Sequence, residues 1–254
     1  MKKSIVVIVS TVIIIALLVI MFYNASRPKG LVAFVIDDWG YNKRNIDLAL
    51  EIDRPLTISI LPNLRYSKYV AQKFMKVNNV CDIILHLPLE SKSNRAAERG
   101  TIRSNMEQEM ITTILEDEIN SVPGLIGVSN HQGSKVSEDE RTMKIVLGEL
   151  KKRELFFLDS VTTSKSVCAD IARDIKLRFA KRDIFLDLTD QADLEDFESY
   201  IRGQVQELAS VALKQGRAIG VGHNKKITLK VLKDLIPDME KKGIKIVPLK
   251  ELVR

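Results

Sequence analysis

The chain has 254 residues, of which 45% are hydrophobic and 28% are charged, so it is long enough to fold around one sizeable hydrophobic core. Its formal net charge of +6 does not indicate a nucleic-acid-binding protein, because four basic residues flank an N-terminal apolar run and the remainder is almost neutral. The long patches of basic and aromatic residues that such binding requires are absent from the sequence, and we therefore expect no nucleic-acid partner.

The N-terminal segment is typical of a membrane anchor. Two lysines precede an apolar run from Ile5 to Tyr23, which is close to the roughly 20 residues needed to cross a bilayer. A secretory signal usually has a shorter apolar core and a small-residue cleavage site, which the following stretch NASRPKG lacks. The sequence predicts an anchor and linker over residues 1–30 and a folded domain over 31–254 outside the cytoplasmic membrane, in the periplasm or at the cell surface. Cleavage within residues 1–30 would instead give a secreted protein.

After residue 30, short β-branched runs alternate with longer amphipathic stretches. We predict strands at 31–36, 56–61, 81–85, 125–129, 155–158, 183–188, 218–222 and 245–249. We predict helices at 66–77, 104–122, 137–153, 193–215 and 227–243, with capping boxes at Ser104–Glu107 and Ser137–Glu140. The alternation indicates a mostly parallel sheet covered by helices, and about eight strands favour a closed or nearly closed β/α barrel over an open doubly wound sheet.

The two cysteines, Cys81 and Cys168, lie far apart in the sequence. They would be able to pair if the domain sits in an oxidising compartment. The favoured interpretation is that both are small buried hydrophobic side chains, because Cys81 opens a strand that is predicted to be buried.

Polar residues stand where the predicted strands end. The first strand runs into Asp37 and Asp38, and the three histidines of the chain, His86, His131 and His223, also come at the ends of apolar strands. In a β/α barrel the carboxyl ends of the strands share one face, and active sites are built there. We therefore expect these five side chains to converge with Asp159 and Asn130, which also follow predicted strands, although each is weak evidence by itself.

Histidine nitrogens and a carboxylate oxygen together form a shell for zinc or a similar divalent ion. A second carboxylate nearby is suited to accept a proton from water, and a third histidine to protonate a leaving group. This set predicts a metal-dependent hydrolase of amides or esters, with zinc as the expected ion. A phosphoesterase on the same barrel is an alternative, because Lys135, Lys225 and Lys226 lie close in sequence to strand ends.

Five motifs in this order resemble the divergent polysaccharide deacetylase family, a branch of the metal-dependent carbohydrate deacetylases: VIDDWG, HLPLE, GVSNHQGS, FFLDS and IGVGH. The resemblance covers residues 31–252. It implies a distorted β/α barrel that removes acetyl groups from N-acetylated sugars of a cell-wall or surface glycan, here held at the membrane by the N-terminal helix. The alternative is a catalytically weak or inactive relative that binds glycan or an envelope protein partner as a scaffold.

The resemblance also implies roles for single residues. Asp38 and His86 match two metal ligands of the better-known deacetylases, whereas Glu90 stands where the third, a histidine, would be. His131 is the natural substitute, and Glu90 remains either a ligand or a residue beside the ligands. Asp37 matches the base.

The remaining implied roles concern the leaving group and the substrate. His223 matches the acid, and Asp159 fits a residue that orients a histidine or the substrate. Asn130 and Ser134 are predicted to bind substrate or to hold their loop. Trp39 is predicted either to stack against a sugar or to pack under the loop.

Overall fold

The computed structural model of the protein describes residues 28–76, 81–93, 97–188 and 196–254. Its strands are β1 Gly30–Trp39, β2 Leu56–Ile60, β3 Cys81–Leu89, β4 Gly127–Gln132, β5 Phe156–Asp159, β6 Phe179–Lys181, β7 Ile184–Phe185, β8 Arg217–His223 and β9 Ile244–Ile246. The helices are α1 Ile46–Leu50, α2 Ser67–Met75, α3 Gln108–Ser121, α4 Glu140–Lys152, α5 Cys168–Ile175, α6 Phe197–Gln215 and α7 Lys226–Lys241.

The strands form one parallel sheet in the order β6-β5-β4-β3-β2-β1-β8-β7, and β9 pairs with the start of β1. The predicted parallel β/α architecture is confirmed, and the sheet curls into a half-barrel. The short strand β6 and the helices α1 and α5 were not predicted, and β7 is shorter than the predicted strand 183–188. The two edge strands β6 and β7 are consecutive in the chain, so only residues 182 and 183 connect one edge of the sheet to the other.

Alternate residues of β1 belong to two different hydrophobic clusters, as the two-residue period of a strand predicts. In β1, Val32 and Phe34 belong to the large cluster that includes the buried faces of the helices. Ala33 and Val35 belong to a smaller cluster on the concave side of the curled sheet, with residues of β3, β5, β6 and β8. Both sides of β1 are therefore buried, which explains its nearly continuous apolar sequence.

The C-terminal segment 247–253 covers the amino end of the strands on this concave side. Leu249 and Leu252 belong to the smaller cluster. The Leu249 amide donates to Thr57 Oγ1 at 3.3 Å, and Lys250 Nζ pairs with Asp82 Oδ1 at 2.9 Å. We call this segment the floor of the half-barrel.

Both predicted capping boxes are wrong, because each helix begins further along the chain than its box predicts. The helix α3 begins only at Gln108, and the hydroxyl of Ser104 donates to Glu90 Oε2 at 3.0 Å. The helix α4 begins at Glu140, and its cap is Asp139, which accepts a hydrogen bond from the Thr142 amide at 2.8 Å. A single-sequence pattern does not distinguish these partners.

The prediction of a membrane-anchored protein in the periplasm or at the cell surface is corrected. The predicted anchor, residues 5–23, lies outside the described residues. Within the part of the chain that the structure describes, no helix is long and apolar enough to cross a membrane. Even the 19-residue α6 carries charged side chains such as Glu198, Arg202 and Glu207. Membrane anchoring therefore has no support from the structure.

The two cysteines are free thiols, as favoured by the sequence. Cys168 is buried and Cys81 is partly buried. Burial raises the pKa of Cys81 to about 11 and that of Cys168 to about 12, so both stay protonated at neutral pH.

Candidate metal centre and catalytic cavity

An irregularity in β1 brings two adjacent acids to one site. Neighbouring residues of a regular strand point to opposite faces. Between Ile36 and Trp39, however, β1 contains one residue more than β2, since Ile36 pairs with Ile58 but Trp39 pairs with Ile60. Asp38 in this bulge has a φ of 64°, in the left-handed region that aspartate tolerates better than most residues. The bulge lets Asp38 as well as Asp37 approach the histidine of β3.

Asp38, His86 and His131 form a three-residue cluster whose candidate ligand atoms lie within 4.8 Å of one another. Asp38 Oδ1 is 3.4 Å from His86 Nε2 and 3.3 Å from His131 Nδ1. The three residues come from β1, β3 and β4, and the last two strands are neighbours in the sheet. Three mixed nitrogen and oxygen ligands that leave a position open are typical of catalytic zinc sites.

The donor set fits a divalent metal ion. Asp38 Oδ1 is buried and has no hydrogen-bond partner among the described residues, although it lies between two imidazoles. A buried polar atom without a partner is costly and requires an explanation such as a bound ion. Burial would raise the pKa of Asp38, but the adjacent His131 and His86 hold that pKa well below its usual value, so the carboxylate is available as a ligand.

A chain of hydroxyl groups holds His86 in place. His86 Nδ1 lies 2.8 Å from Ser129 Oγ, which lies 2.9 Å from Ser59 Oγ. Both serines are buried on the concave side of the sheet. A hydrogen bond at one ring nitrogen fixes the orientation of a metal-binding histidine, and here it leaves Nε2 toward Asp38.

Asp37 lies between His223 and the three candidate metal ligands. It is 2% exposed, its Oδ1 is 3.7 Å from His86 Nδ1, and its position in β1 pairs with that of His223 in β8. Burial raises the pKa of Asp37, with a smaller contribution from the charge of Asp38. A carboxylate with a raised pKa accepts a proton more readily, as a general base must.

Asp187 is a residue of the site that sequence reasoning missed. Its Oδ1 lies 2.6 Å from His223 Nδ1, and its Oδ2 accepts hydrogen bonds from the His223 amide at 2.9 Å and from Thr228 Oγ1 at 2.6 Å. Burial would lower the pKa of His223, but Asp187, with Asp37 and Asp38, raises it to about 9. His223 is therefore protonated at neutral pH, as a general acid must be. The signal was present, because Asp187 follows an apolar run in DIFLDL, but it was read as part of a strand.

Glu90 does not belong to the cluster of possible metal ligands. Its Oε1 accepts from Lys135 Nζ at 2.9 Å, and its Oε2 accepts from the amide and the hydroxyl of Ser104. Burial would raise the pKa of Glu90, but these partners lower it. With both oxygens already bonded, Glu90 links loops beside the site, and the geometry favours His131 as the third ligand.

Asp159 and Asn130 organise the loop after β5. Asp159 accepts hydrogen bonds from the Val161 amide at 2.7 Å and from Ser166 Oγ at 2.6 Å, and it is not paired with a histidine in the described part of the chain. Asn130 Oδ1 accepts from the Ser160 amide at 2.8 Å. Val161 has a φ of 50°, a strained conformation for a β-branched residue that these bonds maintain.

Trp39 and Ser134 lie outside the metal cluster and the cavity lining. Trp39 is fully buried in the core and packs edge-on against Phe74 of α2, with ring centroids 5.2 Å apart, so it offers no stacking surface for a sugar. Ser134 Oγ accepts from the Lys92 amide at 3.0 Å and ties the loops after β3 and β4 together.

A cavity of about 450 Å³ opens at this end of the half-barrel. Its lining includes Asp37, His86, His131, Arg182, Phe185 and His223. The three histidines and the candidate base predicted from the sequence therefore converge on one space large enough for a ligand.

Comparisons with known proteins identify the family of the chain and relatives of its fold. The family model of divergent polysaccharide deacetylases matches residues 34–253. The chain is 30% identical over 207 residues to the uncharacterized protein YibQ of Escherichia coli strain K12, which is 82% of this chain but 62% of that protein, so the chain spans less than two thirds of that relative's length.

Two solved structures share the fold. A crystal structure of an uncharacterized protein from Agrobacterium tumefaciens C58 superposes with a TM-score of 0.80 at 22% identity, covering 89% of this chain and 90% of that chain. The catalytic domain of a peptidoglycan N-acetylglucosamine deacetylase from Eubacterium rectale gives 0.51 at 13% identity, covering 86% and 88%. Together with the family match over most of the sequence, these findings establish that the chain belongs to the divergent polysaccharide deacetylase family.

Proposed function

We propose that the protein is a metal-dependent hydrolase that removes acetyl groups from N-acetylated sugars of a glycan. The observation that carries the proposal is the convergence, at one cavity, of a three-ligand cluster, a buried carboxylate and a protonated histidine. Family membership supports a carbohydrate deacetylase.

In this proposal Asp38, His86 and His131 hold the ion. A divalent metal bound there would polarise the acetamide carbonyl and make water a better nucleophile. Asp37 accepts the proton of the attacking water, and its burial favours the protonated product of that step.

His223 then donates a proton to the sugar nitrogen as the bond to the acetyl group breaks, which releases acetate and a free amine. Asp187 bonds His223 Nδ1 and leaves Nε2 as the nitrogen that donates to the leaving group. The same carboxylate stabilises the imidazolium that the step requires.

The lysines that suggested a phosphoesterase do not support that alternative. Lys135 pairs with Glu90, and Lys225 Nζ donates to the Asp187 carbonyl at 3.0 Å. Neither ammonium group is among the residues that line the cavity.

The experiment that tests the proposal measures metal content and acetate release in the full chain, purified without chelator. We expect about one equivalent of zinc or a similar ion in the wild type and its loss in His131→Ala, with acetate release falling by about a hundredfold or more. Glu90→Gln is the matched control, because it removes a nearby carboxylate that has other partners, and it should keep the metal.

Three other outcomes would change the interpretation. Metal retained in His131→Ala but lost in Glu90→Gln would make Glu90 the third ligand. No metal in the wild type, even after it is added back, would refute the hydrolase. Metal binding without acetate release from any N-acetylated glycan would favour the glycan-binding scaffold.

A further inference from the structure

Arg182 lies where the half-barrel is open. It follows β6 and precedes β7, at the crossing between the two edges of the sheet, and its side chain lines the same cavity as His131 and His223. The residue is partly buried, and the proposed mechanism leaves it without a role.

Neighbouring groups of the protein contact one edge and one face of the guanidinium group of Arg182. Its Nε donates to the Ser160 carbonyl at 2.7 Å, and its Nη2 donates to the Val161 carbonyl at 3.1 Å. Its Cζ lies 3.7 Å from the ring centroid of Phe185, which in turn stacks with His223 at 6.1 Å. These contacts orient the group beside the proposed acid, and they leave Nη1 without a hydrogen-bond acceptor among the described residues.

The positive charge of Arg182 has no ion-pair partner within 4.0 Å in the described part of the chain. The acids whose charges reach it, Asp159 and Asp183, are bonded elsewhere: Asp159 to Val161 and Ser166, and Asp183 Oδ2 to the Ile219 amide at 2.7 Å. Burial lowers the pKa of Arg182.

Burying a charged guanidinium group whose N–H donors lack acceptors costs free energy, unless an anion binds to it. Its planar fork matches the two oxygens of a carboxylate or a phosphate better than any neutral sugar hydroxyl. Lys135 differs, because it already has Glu90 as a partner. Arg182 thus has the chemistry of an anion site inside the cavity.

We infer, on the basis of the proposed function, that Arg182 selects substrates by binding an anionic group carried by the N-acetylated glycan. The group is a carboxylate or a phosphate on the same sugar or its neighbour. The glycan class is therefore an acidic one, and neutral N-acetylglucosamine polymers are poor ligands.

Binding measurements on the full chain test this inference with three probes of matched size. One is a neutral N-acetylglucosamine oligosaccharide, one has a carboxylate-bearing sugar next to N-acetylglucosamine, and one is phosphorylated N-acetylglucosamine. Dissociation constants are measured by calorimetry, with and without added zinc, for wild type, Arg182→Gln, Arg182→Lys and Lys181→Gln. Lys181 is the matched control, because it is an exposed neighbour of the same charge and lies outside the cavity lining.

We expect at least one acidic probe to bind wild type about tenfold more tightly than the neutral one, and we expect Arg182→Gln to remove that difference. Arg182→Lys should restore part of it, and Lys181→Gln should leave it unchanged. The acidic probe that binds wild type more tightly shows whether the preferred anion is a carboxylate or a phosphate.

Equal weakening of all three probes by Arg182→Gln would show that Arg182 only holds the loop of Ser160 and Val161, and would overturn the inference. Equal binding of neutral and acidic probes by wild type would overturn it as well. A charge preference without acetate release would instead refute the deacetylase while the anion site stands, so the two failures are distinguishable.

Discussion

The two ends of the half-barrel are built from the same strands but differ in how their polar groups are satisfied. At the floor, Thr57 and Asp82 are bonded to Leu249 and Lys250 of the C-terminal segment. At the opposite end, Asp37 and Asp38 are also buried or partly buried, yet one oxygen of each lacks a hydrogen-bond partner among the described residues.

This difference separates structural from functional polarity. Buried polar groups that contribute to folding have their partners within the protein. In the proposed function, the missing partners at the cavity end are a metal ion at Asp38 and a water molecule or proton at Asp37. Asp82 should therefore affect mainly the stability of the fold, and Asp37 mainly the chemistry of the site.

The largest effect is expected from a substitution at the cavity end. Asp37→Asn should reduce the rate of acetate release by about 10²- to 10⁴-fold, because it removes the proposed base. Metal content, measured on the same sample, should be unchanged, since Asp37 is outside the ligand cluster. Loss of metal in this variant would instead place Asp37 among the ligands.

Asp187→Asn tests whether the hydrogen bond between Asp187 and His223 contributes to catalysis. We expect the rate of acetate release to fall by about tenfold or more, because His223 loses the carboxylate that orients its ring and stabilises its protonated form. The pKa of His223, which Asp187 helps to raise to about 9, should fall, and NMR titration of the metal-free protein would measure it. An unchanged pKa would contradict the assignment.

The same variant has a consequence for stability. A folded-state pKa of about 9, above the ordinary 6.5, means that protonated His223 stabilises wild type fully below pH 6.5. That contribution is lost as the pH rises through 9. Denaturation of metal-free protein at both limits should show this loss in wild type and a smaller one in Asp187→Asn.

The smallest expected effect is at the floor. Asp82→Asn should lower the free energy of unfolding by about 1–2 kcal/mol, because it removes the charge of a buried carboxylate whose partner Lys250 is half exposed. Acetate release per folded molecule should be unchanged. A large loss of activity without destabilisation would show that the two ends are coupled, contrary to the comparison.

Much of the site was predictable because parallel strands place their carboxyl ends on one face. That rule alone brought His86, His131 and His223 together with the first strand. The sequence did not decide between Glu90 and His131, since the decision depends on Lys135 and Ser104 occupying the oxygens of Glu90.

Other features depend on backbone conformations or contacts that no local pattern encodes. The left-handed φ of Asp38 places both acids at one site, although an alternating pattern would separate them. The pairing of Asp187 with His223 spans 36 residues and depends on the short edge strand β7. Likewise, Asp159 suited a partner for a histidine by its position but is held within its own loop.

The floor also has a consequence for how the domain folds. Its contacts join residues that are 192 and 168 positions apart in the sequence, Leu249 with Thr57 and Lys250 with Asp82. Contacts between residues so far apart in sequence carry a large entropic cost of loop closure, and they form late and slowly. During synthesis, the residues of β1 to β8 are joined before residues 247–253, so the apolar concave side of the sheet lacks its cover until those residues are added. Exposed apolar surface of this kind makes an incompletely synthesised domain prone to aggregation.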